Sequence, residues 1–177
     1  WYSKRSFTSV LFWYHNCSMR QVSSRMWDWS LEPTASLYHT ANSLEPLHAQ
    51  FDYLKNTVSV VNDYYRSFNN YKVIARVYDI NSRKVYEESA SVNLPEDGVA
   101  NDVLTIRFPE NISQVHFIKL VLKDEKGKDV SSNFYWRSND KYEGSKTLTG
   151  PASSGFEDLN KLKAANVKLS YKARQAD

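Results

Sequence analysis

Several glutamates are, by residue type, the groups in this 177-residue chain that could do acid–base chemistry. Among them are Glu32, Glu45, Glu87, Glu88 and Glu110. Two carboxylates that converge on one point can share the roles of acid and base. Glu87 and Glu88 are neighbours on a predicted strand, so their side chains point to opposite faces and cannot converge. The sequence therefore predicts no catalytic residue in this chain.

The histidines and the single cysteine, Cys17, show no spacing that is typical of a metal site. A lone thiol also excludes an intrachain disulfide, and it favours a cytoplasmic or bacterial periplasmic protein over a disulfide-stapled one. No nucleophile elbow, phosphate-binding glycine loop or dinucleotide fingerprint occurs in the sequence. We therefore expect neither a metal nor a cofactor.

Charge and hydropathy argue against two classes of partner. The net charge is only +3, and no basic cluster with interleaved aromatics occurs, so we expect no nucleic acid. No apolar run approaches the roughly 20 residues that span a bilayer, so we expect no membrane. The first residues, WYSKRSFTSVLFWYHNC, lack an initiator methionine and a small-residue cleavage site. We interpret them as the start of a segment cut from a longer protein, without a signal peptide.

The first 45 residues predict a short strand followed by a short helix. Thr8–Tyr14 is an apolar run typical of a buried strand. The helix is predicted from Pro33 to Glu45, because Pro33 suits a first helical turn and Pro46 ends the pattern. Ser30 is the predicted cap of this helix.

Residues 46–138 predict seven short strands separated by turn signals. The apolar residues alternate along them, as in Val73, Ala75 and Val77. In the last strand the same spacing predicts that Val130, Phe134 and Trp136 share the core face. The strands are HAQFDYL (48–54), TVSVVND (57–63), YKVIARVYDI (71–80), KVYEESASVNL (84–94), DVLTIRF (102–108), VHFIKLVLKD (115–124) and DVSSNFYWRS (129–138). This count favours an all-β, immunoglobulin-like seven-stranded sandwich.

The last segment, residues 139–177, begins with a stretch rich in serine, glycine, lysine and proline, which is typical of a linker. A helical or turn element follows around Phe156–Leu162, and then one strand is predicted from Val167, Leu169 and Tyr171. One strand has no sheet of its own. We interpret this segment as a linker and the first strand of a further β-domain.

The stretch MWDWSLEPTASLYHTANSLEPLHAQFDYLKNTVSVVN, which starts at Met26, resembles a junction found in glycoside hydrolase family 2. It is similar to the exo-β-glucosaminidase and β-mannosidase-like branch, at the end of the catalytic (β/α)₈ barrel. Pro46, Leu47, His48 and Gln50 match the family's P-L-H-x-Q start of the following sandwich. The FYW-S ending (134–138) and DLNKL (158–162) also match this branch.

The resemblance implies that residues 1–45 are a remnant of the end of the barrel, so the catalytic glutamates lie on strands outside this chain. It implies that Trp13 belongs to the sugar-binding wall of that barrel, while Trp27, Trp29, Pro46 and His48 are structural residues of the junction. The implied partners are the barrel and a downstream β-domain. The parent enzyme is expected in the bacterial periplasm or secreted. Its implied reaction is hydrolysis of terminal β-linked glucosamine, mannose or a related sugar.

Three functions remain open at this point. The chain could be a non-catalytic scaffolding domain, a carbohydrate-binding module, or an interaction or adhesion domain. A carbohydrate-binding module predicts a coplanar pair of exposed aromatics on one sheet face, drawn from Tyr64, Tyr65, Tyr71, Tyr78 and Tyr86. The aromatic first segment also predicts a docking surface, either for parent domains or for a second copy of the chain.

Overall fold

The computed structural model describes residues 15–19, 25–139, 154–168 and 170. The predicted strand Thr8–Tyr14, and with it Trp13, lies outside the described residues. The elements are α1 (Ala35–Ser43), β1 (Leu47–Asp52), β2 (Thr57–Asn62), β3 (Phe68–Asp79), β4 (Lys84–Leu94), β5 (Gly98–Thr105), β6 (Val115–Lys123), β7 (Asp129–Ser138) and a 3₁₀ helix (Ser154–Lys161). No described helix is long and apolar enough to cross a membrane.

The seven strands form two antiparallel sheets. One sheet has the order β1-β2-β5 and the other the order β4-β3-β6-β7. A short helix precedes the strands. The prediction of an all-β, immunoglobulin-like sandwich is therefore confirmed.

The core lies between the sheets and is built from alternate residues of the long strands. Val73, Ala75 and Val77 of β3 are fully buried, as are Ile118 and its alternating neighbours Leu120 and Leu122 in β6. Each such side chain stabilises the fold by about 1.5–3 kcal/mol relative to its exposure. The register is regular from Val73 to Val77 and from Ile118 to Leu122, so the sequence predicts the core face of these stretches correctly.

The prediction that Trp136 lies in the core is wrong, and a β-bulge is the reason. Leu122 pairs with Ser131, whereas Lys123 pairs with Asp129, so Val130 is an extra residue in β7. The extra residue reverses the alternation beyond it. Phe134 and Trp136 therefore point outward, where they are 50% and 57% exposed, while Tyr135 packs against the core.

Helix α1 starts at Ala35, two residues after the predicted start at Pro33. Its cap is Thr34, whose side-chain oxygen accepts a hydrogen bond from the backbone N–H of Ser36 at 3.2 Å. Ser30, the predicted cap, instead belongs to a preceding turn around Asp28. At the other end Leu44 closes the helix, with its N–H bonded to the carbonyl of Thr40. No residue of α1 is fully buried.

The chain enters and leaves the sandwich at opposite ends. Strands β1 and β7 run side by side in the same direction, because Glu45 contacts Ser131 at one end and Phe51 contacts Tyr135 further along. The ten residues of β7 correspond to roughly 33 Å at the rise of an extended strand.

Beyond β7 the structure describes a short C-terminal segment. The 3₁₀ helix Ser154–Lys161 lies where the sequence predicts a helical or turn element, and it packs against β6. Residues 163–168 contain no strand, and Val167 is exposed. The rest of the predicted strand, Leu169 and Tyr171, lies outside the described residues.

Candidate domain-junction site

Asn133 is the centre of a polar network that joins α1, β1 and β7. Its side-chain amide donates to Nε2 of His48 at 3.0 Å and to the hydroxyl of Tyr135 at 2.6 Å. It also lies 3.3 Å from the carbonyl oxygen of Ala49. Its Oδ1 accepts from the side-chain amide of Asn42 in α1 at 3.2 Å. One side chain thus connects the helix with both sheets.

His48 is buried in this network and is held as a neutral ring. Because Nε2 accepts a hydrogen bond, the ring proton lies on Nδ1, which faces Oε2 of Glu45 at 3.7 Å. Burial lowers the pKa of His48 below its ordinary value, and the nearby carboxylate of Glu45 opposes this shift only in part. This environment gives His48 a structural hydrogen bond.

Glu45 and Tyr135 complete the network at its two ends. Oε2 of Glu45, in the connection between α1 and β1, accepts from the hydroxyl of Ser131 at 2.9 Å. The hydroxyl of Tyr135 accepts from the backbone N–H of Phe51 at 3.2 Å, and burial raises the pKa of Tyr135 to about 12. Buried polar groups that are bonded in this way fix one arrangement of neighbouring elements.

A tight turn around Asp28 precedes α1. The Oδ1 of Asp28 accepts from the backbone N–H groups of Ser30 and Glu32 at 2.8 and 2.9 Å, and the hydrogen bond of the Ser30 hydroxyl lowers the pKa of Asp28 most. Leu31 is held at φ 64°, a left-handed conformation that costs a leucine about 1–2 kcal/mol. These bonds hold the backbone of the turn, from which the Trp29 and Leu31 side chains are exposed.

Several large apolar side chains of the segment before β1 are exposed. Trp27 is half-buried, and its ring lies 6.3 Å from that of His15. Five other large apolar side chains of this segment are 52–65% exposed; they are Met19, Trp29, Leu31, Tyr38 and Leu44. Concentrated exposure of this kind is typical of a surface that contacts another protein segment.

The structure brings only part of the sequence-predicted set together. His48 is in the network, and Pro46 lies beside it, where its carbonyl accepts from the N–H of Asp63. Trp27 and Trp29 lie in the segment before α1. The sequence missed Asn133, because its partners are 84–91 residues away in the chain. No local signal marks Asn133, because the alternation of Val130, Phe134 and Trp136 predicts that it points outward.

Two of the glutamates that could do acid–base chemistry by type are bonded to other side chains. Glu87 accepts from Arg76 at 2.7 Å and from Lys84 at 2.8 Å, and these bonds lower the pKa of Glu87 to about 2. Glu88 is bonded to the hydroxyl of Tyr86 instead. Among the described residues no group of histidines, cysteines and carboxylates could hold a metal ion.

Exposed aromatic side chains also lie on the outer face of the four-stranded sheet. Phe117 and Phe134 are stacked at 5.6 Å and 22°, and Trp136 meets Phe117 edge-on at 6.3 Å. The exposed tyrosines Tyr64 and Tyr65 instead lie in the loop after β2. The predicted tyrosine platform is therefore not formed on a sheet face.

The fold agrees with what comparison with known proteins shows. Residues 55–142 match the model of the mannosidase Ig/CBM-like domain family. The sandwich is a mannosidase Ig/CBM-like domain. The resemblance to exo-β-glucosaminidases and β-mannosidase-like enzymes is confirmed by the relatives of the chain.

Two relatives are exo-β-D-glucosaminidases. That of Streptomyces avermitilis is 27% identical over 133 residues, which are 74% of this chain and 15% of the relative. That of Hypocrea virens is 26% identical over 176 residues, which are 96% of this chain and 20% of the relative. The mannosidase Ig/CBM-like domain and its flanking segments thus span only a fifth or less of these relatives.

Solved structures show the same fold. The exo-chitosanase CsxA of Amycolatopsis orientalis superimposes with a TM-score of 0.66 at 22% identity, over 73% of this chain and 15% of that protein. The β-D-mannosidase of Dictyoglomus thermophilum superimposes with a TM-score of 0.53 at 16% identity, over 71% of this chain and 16% of that protein.

Proposed function

We propose that this mannosidase Ig/CBM-like domain is a non-catalytic scaffold of a glycoside hydrolase. It braces a catalytic barrel on its N-terminal side and carries a further β-domain on its C-terminal side. The parent enzyme hydrolyses terminal β-linked glucosamine, mannose or a related sugar, and it works in the bacterial periplasm or outside the cell. The names of the relatives support the reaction, and their greater length supports the presence of other domains.

The observation that carries this proposal is the polar network around Asn133. A scaffold must hold its neighbours in a fixed orientation, and the network ties α1 to both sheets through Asn42 and His48. The entry of the chain beside α1 and its exit at the far end of β7 suit a connecting domain. The Trp29 and Leu31 side chains of the preceding turn are presented to a neighbour before it binds, which lowers the entropic cost of docking.

The proposal divides the chain at residues 45 and 138. Residues 1–45 belong to the end of the barrel, 46–138 form the sandwich, and 139–177 form the linker and the first strand of the next domain. In this division Trp13 contacts the substrate from the barrel wall, while Trp27, Trp29, Pro46 and His48 hold the junction.

A direct test assays the full chain for the two activities that a non-catalytic scaffold should lack, glycoside hydrolysis and carbohydrate binding. We expect no release of p-nitrophenol from p-nitrophenyl β-glucosaminide or β-mannoside, and no saturable heat on titration with chitosan or mannan oligosaccharides. Hydrolysis by the purified chain would refute the non-catalytic role. A saturable heat would favour carbohydrate binding instead of scaffolding.

Carbohydrate binding is the second candidate, and the exposed ring of Trp136 favours it. An exposed tryptophan can stack on a sugar ring, and Trp136 is 57% exposed beside Phe134. The stacking of Phe134 on Phe117 leaves this cluster without a flat platform of two rings. If the titration gives a signal, it should be lost in W136A and kept in W29A. A third role, self-association through the segment before β1, would show as a dimer in size-exclusion chromatography.

A further inference from the structure

Arg137 lies at the end of the sandwich where the chain leaves β7. Its guanidinium carbon is 4.7 Å from the ring centre of Phe108 and 5.5 Å from that of Phe51. The side chain is half-buried, so these two rings hold the guanidinium at the mouth of the sandwich. A cation that is partly removed from water in this way needs a counter-charge.

Burial lowers the pKa of the Arg137 guanidinium, and among the described residues Tyr53 opposes this shift. No described carboxylate or carbonyl is bonded to its guanidinium, and its Nη1 is buried without a protein partner. Other arginines of the sandwich are paired: Arg76 with Glu87 at 2.7 Å and Arg83 with Asp79 at 2.8 Å. An unpaired buried donor costs about 1–3 kcal/mol.

His116, which faces Arg137 across the strands, adds a polar atom but no negative charge. It is 1% exposed, its Nδ1 lies 3.3 Å from the carbonyl of Ser113, and its Nε2 has no protein partner among the described residues. Burial lowers the pKa of His116, and the positive charge of Arg137 lowers it further. His116, the residue paired with Arg137 in the sheet, therefore does not neutralise the positive charge of the guanidinium.

We propose that this end of the sandwich is a binding site for a carboxylate, with the Arg137 guanidinium as its ligand. A planar monoanion fits the planar fork of a guanidinium through two parallel hydrogen bonds. The half-buried ring of Phe108 favours an organic acid, whose carbon atoms can contact it.

Titration with sodium acetate and sodium glucuronate, followed by nuclear magnetic resonance, tests the site on the full chain. We expect saturable shifts of the Arg137 Nε–H and His116 ring signals, with dissociation constants roughly in the millimolar range. Binding should weaken at least fivefold in R137Q. R66Q is the matched control, because Arg66 also lies over two rings, 4.7 Å from Phe68 and 5.5 Å from Tyr64, but is exposed.

The relative affinities of acetate and glucuronate show which kind of carboxylate the site binds. Tighter binding of glucuronate than of acetate, with no effect of glucose, assigns the site to a sugar acid; equal binding assigns it to a carboxylate alone. Equal shifts with sodium chloride at the same ionic strength would overturn the proposal, as would unchanged binding in R137Q. If R137Q does not fold, R137K keeps the charge and removes the fork, and it should also weaken binding.

Discussion

The side-chain amide of Asn133 in β7 donates a hydrogen bond to Nε2 of His48 in β1, across the gap between the two sheets, at 3.0 Å. Both residues also reach the segment around α1, Asn133 through Asn42 and His48 through Glu45. The pair therefore joins the position of the helix to the packing of the sheets. This connection is the physical basis of the proposed scaffolding role.

Replacing Asn133 with alanine should destabilise the sandwich. The change leaves the buried Nε2 of His48 without its donor and removes the tether to Asn42. We expect a loss of about 2–3 kcal/mol in the free energy of unfolding, because a buried polar atom loses its partner. Urea denaturation measures this loss. N101A, at an exposed position in β5, is the control and should change stability by less than about 0.5 kcal/mol.

Stability should fall as the pH drops below about 6.5, because two buried histidines are neutral in the folded protein. Burial lowers the pKa of both His48 and His116. The unfolded chain, in which histidine has a pKa of about 6.5, then binds more protons than the folded chain does. The stability contributed by each ring is therefore complete above pH 6.5, and it is lost as the pH falls toward the folded pKa.

Urea denaturation between pH 8 and pH 5 tests this prediction. We expect the free energy of unfolding to be nearly flat above pH 7 and to decline below it. The decline should become shallower in H48Q, which cannot titrate. A decline of the same slope in wild type and H48Q would show that His48 does not carry a lowered pKa.

The turn between β6 and β7 needs a glycine because of its backbone conformation and not because space is lacking for a side chain. Gly127 has φ 81°, and a Cβ placed on it would meet no atom within 4 Å. G127A should therefore cost about 1 kcal/mol from backbone strain, without any steric clash. Ser82 holds a similar φ of 62° in the turn between β3 and β4, so S82G should not destabilise the protein. Thermal denaturation of the two variants should give opposite or clearly unequal shifts.

The outward direction of Trp136 predicts a small effect of its removal. Because Trp136 is 57% exposed and Leu120 is fully buried, W136A should cost less than about 1 kcal/mol and L120A about 2–5 kcal/mol. Chemical denaturation of the two variants checks this order. A larger loss in W136A than in L120A would place Trp136 in the core, as the sequence alone suggests.

The sequence predicts the strands and their core faces well where the alternation of side chains along a strand is the only factor involved. The alternation of Val73, Ala75 and Val77 identifies a core face, because side chains of a strand alternate between the faces of the sheet. The rule fails after Val130, since one extra residue reverses the faces of β7 and no local signal in the sequence marks it. The helix cap was misplaced for a related reason: Ser30 and Thr34 are both good caps, and the turn around Asp28 decides between them.

The junction itself could be predicted only in part. His48 was found through the resemblance, but its partner Asn133 lies 85 residues further along the chain. Such a pair depends on how the two sheets pack, and a polar residue within a strand does not reveal its partner. The unpartnered Nη1 of Arg137 was equally invisible, because it depends on which side chains the fold brings to the guanidinium.

Amide hydrogen exchange of α1 tests the central claim most directly. A nine-residue helix is marginal by itself, so the amides of its last turn are protected only if the Asn133 network holds the helix to the sandwich. The account predicts that the N–H of Leu44 is protected in the wild type and exchanges at least about tenfold faster in N133A, which corresponds to about 1.4 kcal/mol. Under the same conditions the core amides of β3 and β6 should stay protected in both proteins. Equal exchange of Leu44 in the two proteins would contradict the account, because the helix would then not depend on the network.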